Sequence, residues 1–260
     1  MPRNKSWYDI QNSGEDSATI YVYDEISAWG VSAKQFCADL SQVSASNITL
    51  KMNSPGGNVF DGCTIYNALK DHPACVNVQI DGLCASIASH IAMAGDKITM
   101  AKNAMMMIHN AWGGVCGNAA ELRSMADVLE KIDGNLVNAY AERSGAGKRA
   151  IKQMMNDETW MTADEAMKNG FCDCVGDQKD AKASFDLSKF AKTPATAVNM
   201  YAMPKETTER DIEQLLRDVG VSGKLAKVAV AAIKGDHRDD DTDHQEFVQS
   251  ISGFLKSIKQ

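Results

Sequence analysis

The chain of 260 residues lacks a long apolar run. No stretch approaches the ~20 residues that span a bilayer, and the weakly polar segments are interrupted by Asp, Lys or His. A basic excess is also missing: 27 Lys and Arg face 34 Asp and Glu, for a net charge of −7. That argues against a nucleic-acid-binding face, so the expectation is no nucleic acid and no membrane partner. The start, "MPRNKSWYDIQNSGEDS", has no apolar centre of the secretory kind, and a cytoplasmic location is expected. Seven cysteines do not make an even disulfide framework. Free, mostly buried thiols are expected. Cys172 and Cys174 form C-x-C, but neighbours two apart have no Cys or His partner at finger spacing. No metal and no cofactor are expected. There is no G-x-x-x-x-G-K-[ST] loop for a nucleotide phosphate, no G-x-S-x-G hydrolase elbow and no internal repeat.

What is present is an ordinary globular composition, 44% hydrophobic and 23% charged. The length suffices for one good-sized core with a small appendage. To about Val175, strand-like and helix-like patterns alternate. Strands are expected at 18–24, 47–53, 75–82 and in "DKITMAKN" and "AMMMIHNAW". Helices are expected at 31–43, 59–72, 85–95, Ala119 to about Glu142, "GKRAIKQMMND" and 162–170, the last with a Thr cap and a Gly stop. Such alternation predicts an α/β fold with a largely parallel sheet. The domain so defined covers 1–176. Residues 177–207 are polar and rich in Ala, Lys and Thr, which reads as a flexible linker. Residues 208–260 carry amphipathic stripes, Ile212/Leu215/Leu216/Val219 and Phe247/Ile251/Phe254/Leu255, and read as a helical tail that docks on this chain, on a second copy or on another protein.

The candidates for chemistry lie in the α/β region. A serine nucleophile needs a base within reach, a group to orient that base, and backbone N–H donors for an oxyanion. Ser86 in "LCASIASHIAMAG" sits where a helix starts after a strand, which suits developing negative charge. Read alone, it is as well explained as a helix cap. His109 ends an apolar strand beside Gly113 and Gly114, a position from which histidines line sites. His90, four residues after Ser86 and one helical turn on, is the other histidine within reach. "NSPGG", Asn53 to Gly57, is a strand–turn–helix junction that can expose backbone N–H groups, and equally a plain turn. Asp157 or Glu158 could orient the base.

Taken in order, "MNSPGG", "DGLCASIASHIAMAG", "MMMIHNAWGG" and "ETWMTADEAMKNGFCDCV" resemble the Clp protease proteolytic subunit (ClpP) family of serine peptidases over roughly 18–175. The resemblance implies a ClpP/crotonase-type fold of repeated βαβ units with a helical handle, formed by 119–142 and the segment after it. It implies Ser86 as nucleophile, His109 as general base, and the N–H groups of Gly57 and Ile87 as the oxyanion hole. The family's acid position falls on Glu158, where an Asp is usual, with Asp157 adjacent. Protein or peptide substrates and a homo-oligomeric ring are implied as well. The opening segment and the tail look like the ClpP-related head maturation (prohead) proteases of tailed bacteriophages, which implies capsid and scaffold proteins as substrates and the host cytoplasm as location. The alternatives are a housekeeping subunit partnered by an unfolding ATPase, acyl-CoA chemistry on the same fold, and an inactive scaffold or assembly subunit.

Overall fold

The computed structural model describes residues 6–26 apart from 13 and 15, 31–180, and 185–201. The first strand, β1 (Tyr8–Asn12), pairs antiparallel with β2 (Ser17–Val22). Next come α1 (Ala33–Leu40), β3 (Asn47–Ser54), α2 (Val59–Asp71) and β4 (Cys75–Ala85). They form two βαβ crossovers, with β2, β3 and β4 parallel and in register Ile20↔Leu50↔Val78. Alternation sends Ile48, Leu50 and Met52 of β3 into the core while Thr49 and Lys51 stay partly exposed. Phe36 and Leu40 of α1, and Ile65 and Leu69 of α2, close over that core. Burying each such side chain is worth about 1.5–3 kcal/mol. Ser32 caps α1, and Asn58 caps α2 by accepting from the N–H groups of Phe60 and Asp61.

The second half continues through α3 (Ile87–Ala92), β5 (Lys97–Ala101), β6 (Met105–Ile108), α4 (Ala119–Ser144), α5 (Lys148–Asn156), β7 (Thr159–Thr162), α6 (Ala163–Lys168) and β8 (Cys174–Gly176). Here the sheet divides. Residues 77–80 of β4 pair with β5, which pairs with β8, while 83–85 pair with β6, which pairs antiparallel with β7. The N-terminal half of α4 is almost wholly exposed, and its C-terminal half buries Leu136, Val137, Ala139 and Tyr140. Among the described residues no helix is long and apolar enough to cross a membrane.

The expected mixed α/β architecture is what the structure contains, with three differences. First, β4 runs on to Ala85 and α3 is only six residues long, so the helix expected over 85–95 is shorter. A short run buried on every side has no periodicity to separate strand from helix. Second, β1, β7 and β8 were not expected, being three to five residues each. Third, the linker expected over 177–207 does not hold over 185–201. Phe185, Leu187, Phe190 and Ala197 are buried against Leu83, Ala85, Met105 and Met107, and α7 (Ala195–Tyr201) closes the segment. The compact unit accordingly takes in 185–201. Single apolar residues spaced among Lys, Ser and Thr each fill their own gap and leave no repeating pattern. The helices expected in 208–260 lie outside the described residues.

Candidate catalytic site

The turn "NSPGG" is built to bring β3 close to the end of β4. The ladder between them slips between Met52 and Ser54, so that Ser54 pairs with Cys84. Asn53 covers the slip by accepting the Leu83 N–H at 2.9 Å, and Ser54 Oγ donates to Asp24 O at 2.7 Å and accepts from Gly56 N–H. Gly56 then passes at φ +94, where a Cβ would lie 2.7 Å from both Ala85 O and Ser86 Cβ. Gly57 forms a bridge to Ile26 through its neighbours, Gly56 O accepting from Ile26 N–H and Asn58 N–H donating to Ile26 O. Neither bond uses the N–H of Gly57. The sequence identified the two glycines but not the struts Asn53 and Ser54. The signal was available, since polar side chains beside a glycine pair have to satisfy the groups a broken ladder leaves over.

Ser86 is not a cap. Its backbone stands at φ +57 and ψ −134, and no side-chain capping bond forms. Such a conformation costs a non-glycine residue of the order of 1–3 kcal/mol and persists only where the surroundings impose it. Three contacts impose it. Ser86 N–H donates to Met107 O at 3.0 Å, and Ser86 O accepts from Ser89 N–H at 3.0 Å and from Ser89 Oγ at 2.6 Å. Because the single Ser89 proton is committed to Ser86 O, Tyr140 of α4 donates to Ser89 Oγ, at 2.8 Å. The parallel register Ala85↔Met107 sets Ser86 opposite Ile108, one residue before His109. Ser86 Oγ lies 2.7 Å from His109 Nε2. Ile87, as the first residue of α3, has an N–H with no intrahelical acceptor.

His109 is largely buried. Burial lowers its pKa, the Glu158 carboxylate opposes that, and the Lys189 ammonium adds to it. The net lowering favours a neutral ring, the form able to accept a proton at neutral pH. His90 is elsewhere. It is buried, stacked on Tyr66 at 4.4 Å and edge-on to Tyr140, with Nδ1 unpartnered and its pKa down at about 4 by burial.

The two acid candidates differ. Asp157 ends α5 at the surface and accepts from Gln153. Glu158 has φ +49, which turns its side chain inward toward 185–193. Its Oε2 accepts from Ala191 N–H at 2.8 Å. Its Oε1 accepts from Lys192 N–H at 2.6 Å and from Trp160 Nε1 at 3.2 Å. Among the described residues, neither carboxylate accepts a hydrogen bond from His109. Ser86, His109, Gly57 and Ile87 line one cleft of about 610 Å³, together with Phe60, Trp112, Lys189 and Phe190. Lys189 and Phe190 escaped sequence reasoning because their segment read as linker. Among the described residues no group of three or more His, Cys, Asp or Glu side chains could hold a metal ion.

A protein-family comparison matches residues 2–179 to the family described as Clp protease. The ATP-dependent Clp protease proteolytic subunit 1 of Prochlorococcus marinus (strain MIT 9312) is 30% identical over 138 residues, covering 52% of this chain and 71% of that protein. Subunit 3 of Streptomyces coelicolor is 32% identical over 151 residues, covering 56% and 70%. The proteolytic subunit of Pleurastrum terricola is 34% identical over 130 residues, covering 49% and 66%.

Proposed function

The chain belongs to the Clp protease family, and we propose that it is a serine endopeptidase with Ser86 as nucleophile and His109 as general base. The observation that carries this is the 2.7 Å contact between Ser86 Oγ and His109 Nε2 at a backbone turn held against its own preference. His109 takes the Ser86 proton as Oγ attacks the peptide carbonyl. The N–H groups of Gly57 and Ile87 receive the oxyanion, and His109 returns the proton to the leaving amine. Water, deprotonated by the same imidazole, then releases the acyl group. Glu158 supplies the negative charge that favours the imidazolium formed in each step.

The reaction is tested by labelling with a fluorophosphonate, wild type against Ser86→Ala and His109→Ala. Labelling that depends on both side chains is the expected result, and label persisting in Ser86→Ala sinks the assignment. The finer reading is maturation of phage heads, with capsid and scaffold proteins as substrates and the subunits assembled as a ring. It is favoured by the likeness of the opening segment and the tail to the head maturation proteases. Cleavage of a scaffold protein without an unfolding ATPase or ATP supports that reading. A strict requirement for such a partner supports the housekeeping alternative.

A further inference from the structure

We propose that residues 187–192, beyond the matched part of the chain, are a working part of the catalytic site: Phe190 positions the His109 ring, and the N–H groups of Ala191 and Lys192 hold Glu158 where it acts on that ring through space. The proposal rests on the serine peptidase reading and deepens it.

Packing supplies the first support. β6 is buried at all four positions, Met105 to Ile108. Met106 and Ile108 face the main core, while Met105 and Met107 face Phe185, Leu187 and Phe190. Leu83 and Ala85, just before Ser86, share that second cluster. The segment therefore covers the outer face of both strands that deliver the reacting pair. Phe190 presents its ring at 78° to His109 with centroids 5.6 Å apart, and at 78° to Trp160 at 5.7 Å. Edge-to-face contacts on both rings fix the plane of the imidazole.

Anchoring supplies the second. On one side Lys189 Nζ donates to Glu25 Oε1 at 2.6 Å. On the other, Lys192 Nζ donates to Asp157 O at 2.6 Å. Between these pins the backbone N–H groups of 191 and 192 grip both oxygens of Glu158. A carboxylate accepting three N–H bonds, the third from Trp160, is held at a fixed place. The charged groups bearing on His109 are Glu158, which precedes β7 and is set across from that histidine by the antiparallel register Ile108↔Thr159, and Lys189, from the segment itself. The ring is thus tuned by one carboxylate and one ammonium, both set in position by 187–192.

The test measures fluorophosphonate labelling of the full chain against pH for wild type, Phe190→Ala, Phe190→Leu and Glu158→Gln. In Phe190→Ala, water reaches the imidazole and the ring loosens. The acid limb moves to higher pH and labelling at neutral pH falls by roughly tenfold to a hundredfold. Phe190→Leu, which keeps water out, restores most of the rate. Glu158→Gln removes the charge that raises the His109 pKa, so its acid limb moves to lower pH, with a loss at pH 8 of no more than roughly tenfold. A Phe190→Ala protein with the wild-type rate and limb overturns the positioning role. A Glu158→Gln loss of roughly 10⁴-fold, the size seen when an orienting acid is bonded to its histidine, overturns action through space. Wild-type protein that takes no label at Ser86 defeats the peptidase reading instead, which keeps the two failures apart.

Discussion

The turn and elbow around Ser86 and the segment 185–201 both line the cleft, but they are built by different means. The elbow is tight and strained: φ is +94 at Gly56 and +57 at Ser86, each enforced by backbone contacts within 3 Å or so. The later segment is held by scattered side chains, Phe185, Leu187 and Phe190 in apolar gaps and two lysines on its flanks. A region fixed by its backbone loses function when a single atom is added. A region fixed by side chains loses it gradually as they are trimmed.

The sharpest way to break that contrast is on the elbow. Ser86→Ala should lower peptidase activity by roughly a millionfold, the scale for losing an attacking serine, with little change in thermal stability. Gly56→Ala comes next: its methyl group would press on Ala85 O and Ser86 Cβ at 2.7 Å. A drop in kcat of roughly a hundredfold is expected, from displacement of the nucleophile by a fraction of an ångström to an ångström. Steady-state kinetics on a peptide substrate would show it as kcat falling with KM unchanged. If Gly56→Ala works normally, the elbow is not as tight as described.

On the side-chain-held segment, Phe185→Ala should cost about 3–5 kcal/mol locally. Limited proteolysis within 185–201 would report it, with the main cooperative melt far less affected. Equal loss in both would mean the segment and the core are one unit and the contrast fails.

The helix after the elbow, α3, carries an acid weakness. His90 is neutral in the fold with its pKa lowered to about 4, whereas the unfolded chain protonates near 6.5. The unfolded state therefore binds the extra proton first. Stability is full above pH 6.5 and falls by roughly 3 kcal/mol as pH drops to about 4. Denaturant midpoints across that range should decline in wild type and flatten in His90→Phe. The smallest expected effect is that of Tyr140→Phe, which keeps the ring and removes the donor to Ser89 Oγ. One hydrogen bond worth about 1 kcal/mol predicts a roughly fivefold fall in labelling rate.

The same contrast explains what the sequence made legible. The elements from β2 to α6 other than β7, and the glycine turn, were readable because alternation, helical spacing and a glycine pair are local signals. Ser86 and His109 were singled out only by the order of the motifs, through their resemblance to the ClpP family. The segment 185–201 was not, since "FDLSKFAKT" has no period and its partners are some eighty or a hundred residues earlier. One clue did exist. "MMMI" is apolar at four successive positions, and a strand of that kind is buried on both faces. Something had to lie on the second face, and the first helices could not cover both. The acid candidates were the least legible. Glu158 and Asp157 are adjacent, and the sequence did not show that it is Glu158, at φ +49, whose carboxylate is gripped by 191, 192 and Trp160.

The division of the sheet at β4 has a mechanical consequence. The strand belongs to one ladder up to Ile80 and to another from Leu83, with Asp81 and Gly82 between. Any hinge motion between the β5–β8 ladder and the β6–β7 ladder has to bend the chain at that joint. Ser86 and His109 both lie beyond it, one at the end of β4 and the other just after its partner β6. They lie on the same ladder, so a bend at this joint would leave Ser86 Oγ and His109 Nε2 together.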